Sequence, residues 1–106
     1  MVESHIGRPG RKEEYYSADD LPRDKGAYVI RDQQGDTKYV GMTNNVERRM
    51  QEHRRTGMYE EGQQIVFHRA HPNTGQPTLA RHEDRLINKE KPYANSRKSG
   101  GGRPWE

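Results

Sequence analysis

The chain has 106 residues, of which 27% are hydrophobic and 33% charged, with a formal net charge of +3; that is length for one domain with a lean core, and too little for two. It holds no cysteine, which excludes disulfides, thiolate zinc centres and thiol catalysis and directs any metal to oxygen or imidazole donors, magnesium-like ions before zinc. No apolar run reaches membrane-spanning length, the N-terminus lacks the apolar block of a signal peptide, and the mild basic excess permits a polyanionic partner without demanding one.

Residues 1–24 show no sustained periodicity and are broken by Pro9-Gly10 and Leu21-Pro22. They are expected to form an extended arm, with Tyr15 and Tyr16 pinned to the domain. "AYVIR" and "KYVGM" are β-rich runs joined by Asp32-Gln33-Gln34-Gly35-Asp36, which reads as a hairpin. "TNNVERRMQEHRR" opens with capping residues and sets Val46, Met50 and His53 on one helical stripe that Gly57 stops. "QQIVFHRA", residues 63–70, is a third strand, and "HPNTGQP" a loop. A second helix starts near Pro77, aligns Leu79, Glu83, Leu86, Ile87 and Glu90, and ends before Pro92. Residues 96–106, with "SGGG" and the single tryptophan Trp105, read as a flexible tail by composition. The expectation is an α+β domain over 25–95: a small three-stranded antiparallel sheet flanked by helices, in the order β-β-α-β-α.

A two-residue loop at Gln34-Gly35 would pair Tyr28 with Gly41 and Ile30 with Tyr39. Those four then share one face, with Gly41 leaving room beside a phenol, while Val29, Val40 and Met42 point to the other. The next helix brings Arg49 and His53 to one side, a turn apart, and leaves Arg48, Arg54 and Arg55 for a solvated basic face. Glu83 is the sharpest anomaly: a carboxylate in mid-stripe is costly unless it is paired or holds a cation. An ion pair with Arg49 and a metal site are both open on position alone. His68, His71 and His82 share no ligand spacing and read as surface histidines, and the glycine-rich 99–102 segment has no strand-to-helix context for a phosphate loop.

Taken together, "GAY" at 26–28, "YVG" at 39–41, Arg49 eight residues after the second glycine, Glu83 on a later helix and "KPYAN" ending at Asn95 resemble the GIY-YIG nuclease domain. The resemblance spans about residues 20–96. It implies an endonuclease hydrolysing phosphodiester bonds in nucleic acid, DNA rather than RNA, with little sequence preference and one divalent cation, magnesium or manganese. By position it assigns the metal to Glu83, the scissile phosphate to Arg49, and the attacking-water site to Tyr28 and Tyr39. His53 falls near the same phosphate, Gly41 and Arg48 on the substrate side, and Asn95 in a supporting place. Ala27 stands for the motif's isoleucine, and Met42 where some relatives carry lysine, so help to the base falls to Lys38 or His53. The bareness of the domain suggests a toxin module of a bacterial secreted effector, acting in a target cytoplasm and restrained by an acidic immunity protein, and fits a free-standing nuclease or an excised catalytic fragment comparably well. The competing expectations are a binding module of the same fold without turnover and a basic structural protein of a ribonucleoprotein particle.

Overall fold

The structure is a computed structural model that describes residues 9–94. Its elements in chain order are β1 (Pro9–Tyr15), a 3-10 turn (Ala18–Asp20), β2 (Gly26–Arg31), β3 (Thr37–Thr43), α1 (Val46–Thr56), β4 (Gln64–Ala70) and α2 (Gln76–Glu90). The strands form one antiparallel sheet in the order β1-β4-β2-β3. The fold is thus α+β as expected, but the sheet has four strands, because residues 9–15 of the supposed arm pair with β4 instead of trailing from the domain. The remainder of the arm, 1–8, and the tail, 96–106, lie outside the described residues.

The β2–β3 pairing matches the expected register, Tyr28 opposite Gly41 and Ile30 opposite Tyr39, by a different route from the one expected. The connection is not a two-residue loop. Asp32 and Asp36 close it through an Asp32 N–H to Asp36 C=O bond of 2.9 Å, and Gly35 takes the left-handed conformation that the turn requires, at φ 87°. Arg31 then faces Thr37, and a bulge restores the register by Ile30–Tyr39. Asp32 Oδ1 accepts from the N–H groups of Gln34 and Asp36, which fixes the turn's shape.

Two helices cover the two faces. Tyr28, Ile30 and Tyr39 join Ile65 and Phe67 beneath Val46 and Met50 of α1. Ala27, Val29, Val40, Met42 and Val66 form the opposite layer with Leu79, Leu86 and Ile87 of α2. Alternation along the strands divides the core, and each fully buried large apolar side chain contributes roughly 1.5–3 kcal/mol. Helix α1 begins where Asn45 Oδ1 accepts from the Arg48 N–H at 3.0 Å, and it ends at Gly57. The loop before β2 caps it further, because the carbonyls of Asp24 and Pro22 accept from Val46 N–H and Glu47 N–H. The polypeptide leaving α2 returns along the outer side of β3, where Tyr93 N–H and Ala94 N–H donate to the carbonyls of Thr37 and Lys38.

Candidate active site

Strand β2 projects Tyr28, β3 projects Tyr39 and α1 projects His53 into one buried cluster. The ring centroids of Tyr28 and Tyr39 are 6.1 Å apart, and the His53 ring stands edge-on to both at 5.6 and 5.0 Å. Tyr28 Oη and His53 Nε2 lie 2.7 Å apart. With the imidazole proton on Nδ1, the phenol donates to Nε2. Tyr28 has no exposure and Tyr39 has 8%, so the cluster reaches the surface past Tyr39.

Gly41 makes this arrangement possible. A Cβ there would fall 2.5 Å from Cζ of Tyr28 and closer still to its Oη. The phenol therefore lies across the strand where any other residue would place a side chain. Gly26 at the head of β2 plays a similar part, since a Cβ would strike the Phe67 ring and the His68 carbonyl. The two motif glycines thus serve close approach rather than unusual dihedrals.

Arg49 precedes His53 by one turn of α1. Its guanidinium meets Glu52 at 2.8 Å, and that contact holds the Glu52 carboxyl below the usual carboxylate range. Arg49 is mostly covered, with 19% of its side chain exposed, whereas Arg48 turns outward. There it bonds Asn44 Oδ1 at 2.9 Å and reaches Glu52 at 3.8 Å. Of the two candidate helpers for the base, His53 touches the phenol, and Lys38 instead donates to Gln63 at 3.5 Å. Met42 is fully buried in the layer under α2.

Glu83 has zero exposure. Its stripe neighbours Leu79, Ala80, Leu86 and Ile87 pack on the sheet face opposite the tyrosine rings, and α2 lies over β2 and the outer strand β3. The expectation of an inward carboxylate is met. The direct contacts described above gather Tyr28, Tyr39, Gly41 and His53; Arg49 lies one turn before His53 on α1, and Glu83 is fully buried on α2, which packs over β2 and β3. Asn95 lies outside the described residues.

The residues offer limited means to hold a metal. Among those described, no group of three or more histidines and carboxylates converges. A magnesium-type ion needs only one or two protein carboxylates and keeps its waters, so the buried carboxylate of Glu83 fits that class better than a zinc centre.

The other histidines differ from expectation. His68 of β4 and His82 of α2 are half-buried partners, with ring centroids 5.4 Å apart, and not surface groups. Burial first, then the neighbouring His82 and Lys12, pushes the His68 imidazole down to about 4; burial and Arg85 lower His82 as well. Sequence inspection missed this pair because fourteen positions and two element types separate its members. His71, also half-buried, accepts from the Asn73 N–H in the loop at 3.0 Å. The glycine-rich segment and Trp105 lie outside the described residues.

No curated protein matches the chain in a sequence comparison. The family description "GIY-YIG catalytic domain" matches residues 24–98, which contain every described member of the tyrosine cluster. The chain belongs to the GIY-YIG catalytic domain family, whose members are endonucleases.

Proposed function

We propose that the protein is a metal-dependent endonuclease that cleaves the phosphodiester backbone of DNA with little sequence preference. The observation that carries this reading is the buried Tyr28–His53 hydrogen bond, laid over Gly41 and flanked by Tyr39 and Arg49.

A phenol ionises near pH 10, so accepting a proton from water near neutrality requires about 4 kcal/mol of help. His53 supplies part of it. As water entering past Tyr39 gives its proton to Tyr28 Oη, the phenol's own proton passes to His53 Nε2; the resulting hydroxide attacks phosphorus, the opposite P–O bond breaks, and the departing oxygen takes a proton from solvent. Arg49 grips the non-bridging oxygens as negative charge gathers, a task suited to its planar fork. Glu52, which holds Arg49 in place at 2.8 Å, is displaced by the phosphate or shares the guanidinium with it. Tyr39, the less deeply buried of the two tyrosines, faces the substrate side. Glu83 would hold the divalent cation, magnesium or manganese, and the ion would supply charge neutralisation at the leaving oxygen. Gly41 and Arg48 flank the substrate path, Arg48 as an exposed phosphate contact.

The test is relaxation of supercoiled plasmid with and without magnesium, with Glu83→Ala and Arg49→Ala as controls. Magnesium-dependent nicking by the wild type and its loss in both folded variants are expected. Wild-type cutting by both variants would refute the assignment. The complete burial of Glu83 favours one rival reading, a nucleic-acid-binding module without turnover. It predicts binding that is indifferent to magnesium, with no nicks at any enzyme concentration. If turnover is found, the mild positive charge is compatible with restraint by an acidic immunity protein, the setting of a secreted toxin module, testable by co-purification from cells expressing the neighbouring reading frame.

A further inference from the structure

Helix α2 covers β2 and β3 but stops short of β1, leaving a cleft of about 230 Å³ between its outer side and the β1–β4 half of the sheet. The cleft opens on the layer opposite the tyrosines. Lys12 and Glu14 line one wall, Lys89 the other, His68 and Gln64 the strand between, with Val66 and Leu86 as an apolar floor. Register explains the set: Lys12 faces His68 and Glu14 faces Val66, so alternate residues of two strands point the same way.

The charges are unevenly satisfied. Arg31 and Glu90, also in the lining, pair with each other at 3.3 Å, and Glu90 accepts a further bond from the Thr37 hydroxyl at 2.8 Å. The side chains of Lys12 and Lys89 make no ion pair or hydrogen bond among the described residues. Next to His68, Nε2 of His82 is buried without a hydrogen-bond partner among them. The lysine charges, after burial and His82, disfavour the charged form of His68, while Glu90 opposes them. The cleft's lining therefore sets Lys12, Arg31 and Lys89 against Glu14 and Glu90, with both lysines exposed at its walls.

We propose that this cleft is a second binding site, for a phosphate group carried free or as the terminal monoester of a small molecule. Two ammonium groups approach from opposite walls as point charges, and the His68 imidazole adds a donor from a third direction, while the Gln64 amide nitrogen beside it donates to the Tyr16 hydroxyl at 3.2 Å. That disposition suits a tetrahedral oxyanion. A planar carboxylate is best met by a guanidinium fork, and the fork of Arg31 is engaged by Glu90. Val66 and Leu86 offer a ledge for a short carbon body, and the volume falls below the roughly 300 Å³ at which drug-sized ligands are accommodated. Glu14, exposed at the mouth, opposes the anion and limits its affinity.

The experiment is an NMR titration of the imidazole signals in the full chain, with inorganic phosphate, glycerol phosphate and acetate at matched ionic strength. Phosphate should raise the His68 midpoint by about one pH unit or more. Lys12→Ala and Lys89→Ala should each weaken phosphate binding about tenfold, and Glu14→Gln should strengthen it. Acetate should leave the signals in place. Tighter binding of glycerol phosphate would assign the site to phosphorylated small molecules, and equal binding to free phosphate. Unmoved His68 signals, equal shifts by acetate, or full binding by folded Lys12→Ala and Lys89→Ala variants would overturn the proposal. None of these readouts involves strand cleavage, so the result stands apart from the nuclease assignment.

Discussion

The Tyr28 hydroxyl sits 2.7 Å from His53 Nε2 although the residues come from a central strand and a helix, and both are buried. An ordinary phenol is too weak an acid to serve alone as a base near neutral pH, whereas an ordinary imidazole takes up a proton there. Hydrogen-bonded, they act as one acceptor. Replacing His53 by alanine should lower cleavage about 100-fold and move the alkaline rise of the rate profile upward. Tyr28→Phe should lower it by a similar factor, and the double variant should be little worse than either single one. Plasmid-nicking rates between pH 6 and 10 check this; independent, multiplying losses would break the pairing.

The close passage of Tyr28 over Gly41 makes alanine at position 41 a sharp probe. The added methyl needs the space of the phenol ring, so the ring or the strand must shift. A stability loss of about 1–3 kcal/mol is expected, with near-complete loss of cutting. Urea denaturation and the nicking assay together measure it. An unaltered variant would show that the ring can relocate without consequence.

Glu83→Gln keeps the size of the side chain and removes its charge. Cleavage by the variant should fall at least about 100-fold and fail to recover in excess magnesium. A chelator should abolish wild-type cutting, and magnesium or manganese should restore it. A large stability loss in Glu83→Gln, with cutting retained, would instead mark the residue as a structural ion-pair member.

Acid should weaken the fold through His68. Its folded value of about 4 lies below the ordinary 6.5, chiefly because of burial. In the window between these values the unfolded chain binds the proton and the folded chain does not. The contribution is thus complete above pH 6.5 and lost as pH falls toward 4. After discounting for partial exposure, a loss of about 1–2 kcal/mol is expected, and His68→Gln should flatten that part of the stability profile. Denaturant midpoints at pH 7, 5.5 and 4.5 provide the check.

Much of the central hairpin was legible because side-chain alternation leaves little choice once Tyr28, Ile30, Tyr39 and Gly41 share a face. The expected loop was nevertheless wrong. The turn formed by Asp32 and Gly35 and the later bulge shift the register by compensating amounts. Strand β1 was hidden for a different reason. Its inward position 13 holds a glutamate that pairs with Arg69 at 2.9 Å, so the strand shows no apolar alternation. Glu83 stood out in the sequence because helical periodicity brought it among Leu79 and Ile87. That its helix lies on the far layer from the phenols follows from sheet topology, which periodicity does not encode. The His68–His82 contact was likewise invisible, since it joins a strand to a helix across a packing interface.

An open strand margin invites pairing with a neighbouring molecule. Here the backbone bonds from Tyr93 and Ala94 occupy acceptors along the outer side of β3, and the Tyr93 hydroxyl also ties to Asp32 at the hairpin tip at 2.9 Å. This strap shields the margin nearest the tyrosine cluster from intermolecular zippering. It also anchors the exit of α2 to the remote bend of the hairpin, so fraying at either place loosens the other.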